Sequence, residues 1–203
     1  YLTGVFAAQA ALAALYRRKG IPADDARRLA HRLMADPEVA LDTKAREELG
    51  LDPDDIGCGL FHPSVYSAGV TFYLVPVKNS AVLRKLVPER RGWAETFLLG
   101  EGSVYVYTET PNEDGNDLAA RVFSAGMGIG EDPATGAAAA ALIGELAKHA
   151  GSGQTEYVLR QGVEMGRPSR ITIQIRKDGD TLTHGGIGGD AVIIGQGSLD
   201  LDD

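Results

Sequence analysis

Cysteine is almost absent from this 203-residue chain, Cys58 being the only one. Without a second thiol there is no intramolecular disulfide, no Cys-based zinc site and no CxxC redox pair, and a reducing cytoplasm is the default compartment. Cys58 itself reads as a packed, inert thiol rather than a nucleophile. Basic residues are scarce too, 20 against 28 acidic ones, for a formal charge of −8. Affinity for nucleic acid comes mostly from clustered Lys and Arg releasing counterions, so no nucleic-acid partner is expected. No apolar run approaches the roughly 18 to 20 residues a membrane helix needs, and the start lacks the basic-then-apolar layout of a secretory signal. No membrane association is expected. His31, His62, His149 and His184 show no metal-like pairing. Gly126, Gly128 and Gly130 miss the GxGxxG spacing, and no Lys-Ser or Lys-Thr follows a glycine as a Walker loop requires, so neither a metal nor a nucleotide cofactor is expected. An initiator methionine is also missing. The chain begins at Tyr1, as a fragment or a processed chain would.

What is present is a hydrophobic content of 44%, enough for one substantial core. Residues 1–50 read as helices. Val5, Phe6, Leu12, Leu15 and Tyr16 recur at helical spacing before Gly20-Ile21-Pro22, and Ala26, Leu29, Ala30, Leu33 and Met34 make a second stripe before Asp36-Pro37. A third short helix runs from about Pro37 to Leu49, with Gly50 as its C-cap. Beyond Gly50, runs rich in Val, Ile, Thr and Tyr (70–77, 103–108, 171–176) alternate with Gly, Pro, Asn and Asp clusters, the texture of strands and turns. A short helix is expected over 80–86 and an Ala-rich one over 134–149. The spacing therefore predicts an α+β chain with a helical appendage at 1–50 and a strand-rich domain at 51–203.

Asp132-Pro133 opens the Ala-rich helix, with an acceptor at the N-cap position and proline at N1. The N–H groups of Ala134, Thr135, Gly136 and Ala137 would then point outward with the helix dipole behind them, a setting suited to a carboxylate or phosphate. A cap alone is worth roughly 0.5 to 2 kcal/mol and needs no function, so spacing leaves both readings open. The run from Ala137 to Ala141 has little bulk and reads as close packing against a curved sheet.

Three blocks in order, Arg121-Val122-Phe123, then Gly130-Glu131-Asp132-Pro133-Ala134-Thr135-Gly136, then Gln161-Gly162-Val163-Glu164-Met165-Gly166-Arg167-Pro168-Ser169, resemble the PhzF family. So do 51–57, 62–69 and Gly188-Gly189-Asp190-Ala191-Val192. The resemblance covers about residues 50 to 203. It implies one half of a diaminopimelate-epimerase-like fold, a curved antiparallel sheet wrapped around a central helix, with the active site in the cleft between two such halves. Members resembling the phenazine enzyme isomerise trans-2,3-dihydro-3-hydroxyanthranilate without a cofactor, using a glutamate from the other half as acid and base. The resemblance thus implies a small carboxylate substrate, Asp132 as an active-site acid, and Gly136 and Ala137 in contact with substrate. Two departures stand out. Ala137 occupies the place of a serine whose hydroxyl contacts substrate, and residues 1–50 contain no counterpart of the glutamate or of a Gly-His pair before the first central helix. The chain is expected to be incomplete alone, and a homodimer bringing two Asp132 loops together is one way to rebuild the cleft.

The first fifty residues are similar instead to the cytoplasmic helical segment of VIT/CCC1-type iron and manganese transporters, in 8–16, 33–41 and 46–51. That family holds metal through glutamates and methionines on facing helices. Here Glu48 alone falls on a matching position, and Glu38, Glu47 and Glu48 read as a solvated helix face. Two further functional readings therefore stand beside an isomerase: a non-catalytic remnant that keeps the anion site, and a metal-binding helical module on a folded domain.

Overall fold

The computed structural model describes residues 48–88, 102–113, 115–124 and 129–198, together with positions 17, 22–25, 27–28, 46, 93 and 97. Most of the expected helical appendage, including Glu38, Glu47 and the transporter-like segments 8–16 and 33–41, lies outside the described residues.

Among the described residues eight strands form one sheet. They are β1 Ser64–Ser67, β2 Thr71–Pro76, β3 Ser103–Glu113, β4 Asn116–Ser124, β5 Ile129–Asp132, β6 Gly153–Gln161, β7 Ser169–Asp178 and β8 Thr181–Gly189. Their order is β1-β2-β3-β4-β6-β7-β8, with β5 also paired to β4. Two α-helices described along their whole length accompany them, α1 at Ser80–Lys85 and α2 at Gly136–His149. The α+β half-barrel around a central Ala-rich helix is as expected. Its sheet is mixed rather than wholly antiparallel, because β2–β3 and β4–β6 run parallel. A parallel pair needs a crossover connection, and α1 and α2 lie in those two crossovers.

Alternation along the strands sets two cores. Phe72, Leu74, Tyr105, Tyr107, Leu118, Ala120, Leu159, Ile171, Ile173 and Ile175 face α2, which meets them with Ala138, Ala139, Ala141, Leu142 and Leu146. The small residues let the helix sit inside the curve of the sheet. At Gly144 the fit is closest: a Cβ there would lie 2.4 Å from Cδ1 of Tyr66. The other faces of β2, β3 and β4 carry Tyr73, Val75, Val104, Val106 and Phe123, covered by Val82 and Leu83 of α1 and by Leu49, Trp93 and Phe97. Trp93 donates its Nε1–H to Gly102 O at 2.6 Å.

Caps follow local chemistry. Asn79 accepts from Val82 N at 3.0 Å and starts α1. Gly50 (φ +65°) ends the helical turn at 48–49, with Leu51 N bonded to Arg46 O at 3.0 Å, the long-range bond of a Schellman turn. That turn corrects one expectation. Glu48 is buried rather than on a solvated face, because the turn that carries it also sets Leu49 fully into the core.

The last turn of α2 is closed by charge. Glu145, 3% exposed, accepts from Ser64 Oγ at 3.0 Å and from Lys148 Nζ at 3.1 Å, and His149 stands 3.9 Å away. Lys148 lies over the Tyr66 ring and His149 meets Phe61 edge-on. Cys58 is buried beside Thr108 and Glu109, and its burial pushes the thiol pKa up, away from nucleophilic character. This agrees with the inert reading.

Candidate active site

The site is organised by a fork in the sheet. One edge of β4 pairs with β3, while the other divides: Leu118, Ala119 and Ala120 pair with β6, and Val122 and Ser124 with β5. Where the two strands part, Gln161 at the end of β6 and Asp132 at the end of β5 are brought close.

Adjacent residues of a strand point to opposite faces, and the acidic pair Glu131-Asp132 is divided accordingly. Glu131 is gripped by Arg121 in a two-pronged ion pair, Nε to Oε1 and Nη2 to Oε2, both 2.8 Å. Arg121 also donates Nη1–H to Leu83 O at 3.1 Å and Leu86 O at 3.0 Å, satisfying carbonyls at the end of α1, and lies over Phe123. Glu131 is therefore committed to holding β4, β5 and α1 together. Asp132 turns the other way, where its Oδ2 accepts from Thr135 Oγ1 at 2.6 Å. Its Oδ1 has no partner among the described residues.

The helix start differs from the expected one. Asp132 is not the N-cap and Pro133 is not N1: α2 begins at Gly136, with Thr135 at the N-cap position and no side-chain cap. Pairing with Val122 keeps Asp132 in the strand, and the side chain of Gln161 holds the next three residues away from the helix. Gln161 Nε2 donates to Asp132 O at 2.7 Å and to Thr135 Oγ1 at 3.0 Å. Its Oε1 accepts from Thr135 N at 3.4 Å and from Tyr105 Oη at 3.3 Å. Gln161 is fully buried. Ser169 adds a bond from its Oγ to Pro133 O at 2.8 Å. Gly162 (φ +77°) lets the 162–167 turn press on the same loop, for a Cβ there would lie 2.4 Å from Arg167 O and 2.7 Å from Pro133 O.

The uncapped start leaves the N–H groups of Gly136, Ala137 and Ala138 without intrahelical acceptors, since the first bond of the helix is Ala139 N to Thr135 O at 3.1 Å. Gly136 and Ala137 are exposed and Ala138 is buried. A Cβ at Gly136 would meet Ile187 at 4.0 Å, an ordinary contact, so the protein's own packing does not demand glycine there. In front lies an open groove of about 600 Å³ lined by Ala134, Gly136, Arg170, Ile187, Gly189 and Asp190 among others. Asp132 and Ala137 border this mouth without lining the groove. Among the described residues no group of three or more His, Cys, Asp or Glu is placed to hold a metal, and no helix is long and apolar enough to cross a membrane.

Asp132, Gly136 and Ala137, named from sequence, are thus brought to one helix mouth. Gln161 and Ser169 were present in the quoted motifs without a role. The signal for Gln161 was a polar residue in line with Tyr157 and Leu159 on the inward face of β6, directly before a glycine.

Comparison with known proteins decides the lineage. The family model for phenazine biosynthesis-like proteins, PhzC-PhzF, matches residues 33–197. The chain belongs to the PhzF family. An isomerase of Mesorhizobium japonicum without assigned substrate is 35% identical over 158 residues, 74% of this chain and 52% of its own length. The trans-2,3-dihydro-3-hydroxyanthranilate isomerase of Pseudomonas chlororaphis is 38% identical over 145 residues, 70% of this chain and 49% of its own. Among solved structures, a predicted epimerase of Pseudomonas aeruginosa superposes with a TM-score of 0.52 at 26% identity, covering 77% of this chain and 53% of that one. A PhzF-family protein of Bacillus anthracis, at 23% identity and TM-score 0.58, shares the fold over 68% of this chain and 47% of its own. This PhzF-family chain therefore spans about half the length of the curated relatives it matches.

Proposed function

We propose that this chain is one half of an isomerase or epimerase that moves a proton on a small carboxylate substrate by acid–base catalysis, without a cofactor. In this reading Asp132 is the proton-transfer group, and the N–H groups of Gly136 and Ala137 hold the substrate carboxylate. The observation that carries it is the relay from Gln161 through Thr135 to Asp132. A fully buried amide orients a hydroxyl, the hydroxyl fixes one carboxyl oxygen, and the other is left without a partner among the described residues beside an uncapped helix start. A carboxyl merely capping a helix would not need this second layer. The names of the relatives, isomerases throughout, support the same class.

Turnover also needs a second acid–base group. Glu131 is occupied by Arg121, and Asp190, on the groove's wall, is exposed. A second body facing the groove, such as another copy of this chain, is the proposed source. The competing reading, a non-catalytic anion-binding remnant, draws on Ala137, which offers no hydroxyl where the family resemblance implies a serine. Incubation in D2O with trans-2,3-dihydro-3-hydroxyanthranilate and a panel of small cyclic carboxylates separates them. Catalysis predicts deuterium incorporation at the isomerised carbon, lowered at least ~100-fold by Asp132→Asn. Saturable binding without incorporation would leave the remnant reading in place.

A further inference from the structure

Side chains alternate along β6 and β7, and the face turned away from α2 carries four facing pairs: Gln154 with Arg176, Glu156 with Gln174, Val158 with Thr172 and Arg160 with Arg170. The first three are compatible, and Gln174 Nε2 donates to Glu156 Oε2 at 3.1 Å. The fourth sets two guanidinium groups opposite each other, the one like-charged pair in this register. Like charges directly opposite each other destabilise a strand pair. This pair is nonetheless kept, in a chain with an excess of acidic residues.

We propose that Arg170, with Arg160 facing it, is a second anion subsite of the groove, and that the substrate is accordingly a dianion. One carboxylate lies at the N–H groups of Gly136 and Ala137, and a second acidic group, carboxylate or phosphate, lies on Arg170. The inference rests on the preceding reading in one respect, that the helix start holds a carboxylate.

The place of the pair carries the inference. Arg170 is exposed and lines the groove of about 600 Å³ together with Gly136, and it also lines a side pocket of about 280 Å³ with Asn116 and Arg160. Pro168 and Ser169 line both spaces and stand between them. Ser169 is held in place there, its Oγ donating to Pro133 O at 2.8 Å and to Gln161 O at 3.3 Å. A single ligand in the groove can therefore meet the helix start and Arg170 together, while Arg160 adds positive charge from the side pocket. The planar guanidinium fork matches a carboxylate or a phosphate through two parallel hydrogen bonds, and clustered charge of one sign in a cleft concentrates ligands of the other. Asp190 also lines the groove, but among the described residues it forms no ion pair with Arg170. An anion on Arg170 offsets the repulsion that the β6–β7 register imposes, which gives the like-charged pair a use at this end of the strands.

Nuclear magnetic resonance titration of the full chain tests the subsite with three probes of matched carbon chain: butyrate, with one carboxylate; glutarate, with two; and 4-phosphonobutyrate, with a phosphonate in place of the second. Shifts of the Gly136 and Ala137 amide signals read occupancy of the helix start. Glutarate or 4-phosphonobutyrate should bind at least ~10-fold more tightly than butyrate, and the tighter of the two identifies the second acidic group. Arg170→Gln should abolish the preference while leaving butyrate affinity unchanged, and Arg170→Lys should keep part of it, since the charge remains without the fork. Equal affinities, no binding by any probe, or a preference that survives Arg170→Gln would each overturn the subsite. Deuterium exchange indifferent to Asp132→Asn, with the preference for the dianion intact, would instead overturn the catalytic reading and leave the subsite standing.

Discussion

At its first turn α2 presents bare N–H groups to an open groove; at its last turn it buries a carboxylate under Ser64, Lys148, His149 and Tyr66. The open end is nonetheless the more tightly wired in its backbone. Residues 132–135 are held by neutral groups, the Gln161 amide, the Ser169 hydroxyl and the bare Cα of Gly162. The closed end is held by ion pairing and ring contacts. Charge suffices where only packing is at stake. Under the role proposed for Asp132, neutral donors fix its geometry without adding a competing ion, which is what preorganisation requires.

The largest effect on this contrast is expected from Gly162→Ala. The new Cβ would meet two carbonyl oxygens of the main chain at 2.4 and 2.7 Å, at φ +77°, so neither neighbour can swing aside as a side chain would. Overpacking and a strained backbone together should cost about 3 to 5 kcal/mol, a large part of a typical domain's stability. Urea unfolding measures it. A loss under about 1 kcal/mol would show that the 133–135 loop is not pinned.

Much of this was legible in sequence and some was not, for physical reasons. The Ile- and Thr-rich run at 171–176 and the Ala-rich run of α2 marked a strand and a closely packed helix directly, because such signals are local. Gly50 was readable as a cap for the same reason. The start of α2 was misplaced by two to three residues because Asp-Pro is a strong local signal, and what overrides it, the Gln161 side chain together with β4–β5 pairing, comes from 29 residues downstream and from another strand. The parallel pairs escaped notice likewise, since register is a property of two segments. Family resemblance located Asp132 but gave no role to Gln161.

Gln161→Leu asks whether the neutral wiring matters as wiring. The substitution keeps most of the bulk but strips partners from Asp132 O, Thr135 N and the Tyr105 hydroxyl, all in or beside the core. Leaving such groups unsatisfied costs about 2 to 4 kcal/mol in sum. If the reading of Asp132 is right, deuterium exchange should fall by more than the lost stability explains, under conditions where the variant stays folded. Equal exchange by folded variant and wild type would reduce Gln161 to a packing role.

Tyr107→Phe should have the smallest effect and the opposite sign. Tyr107 belongs to the closed end: its ring meets Phe61 edge-on, and its hydroxyl is buried with no hydrogen-bond partner among the described residues. Burial, with Glu145 adding to it, pushes the phenol's pKa up, so the group stays neutral and gains nothing as an anion. A buried hydroxyl that has lost its water and found no substitute is a net cost. Removing it while keeping the ring should stabilise the chain by about 0.5 to 1 kcal/mol, seen as a small rise in Tm with deuterium exchange unchanged. A fall in Tm would mean that the hydroxyl is bonded after all, and the closed end would then be wired by neutral donors as the groove end is.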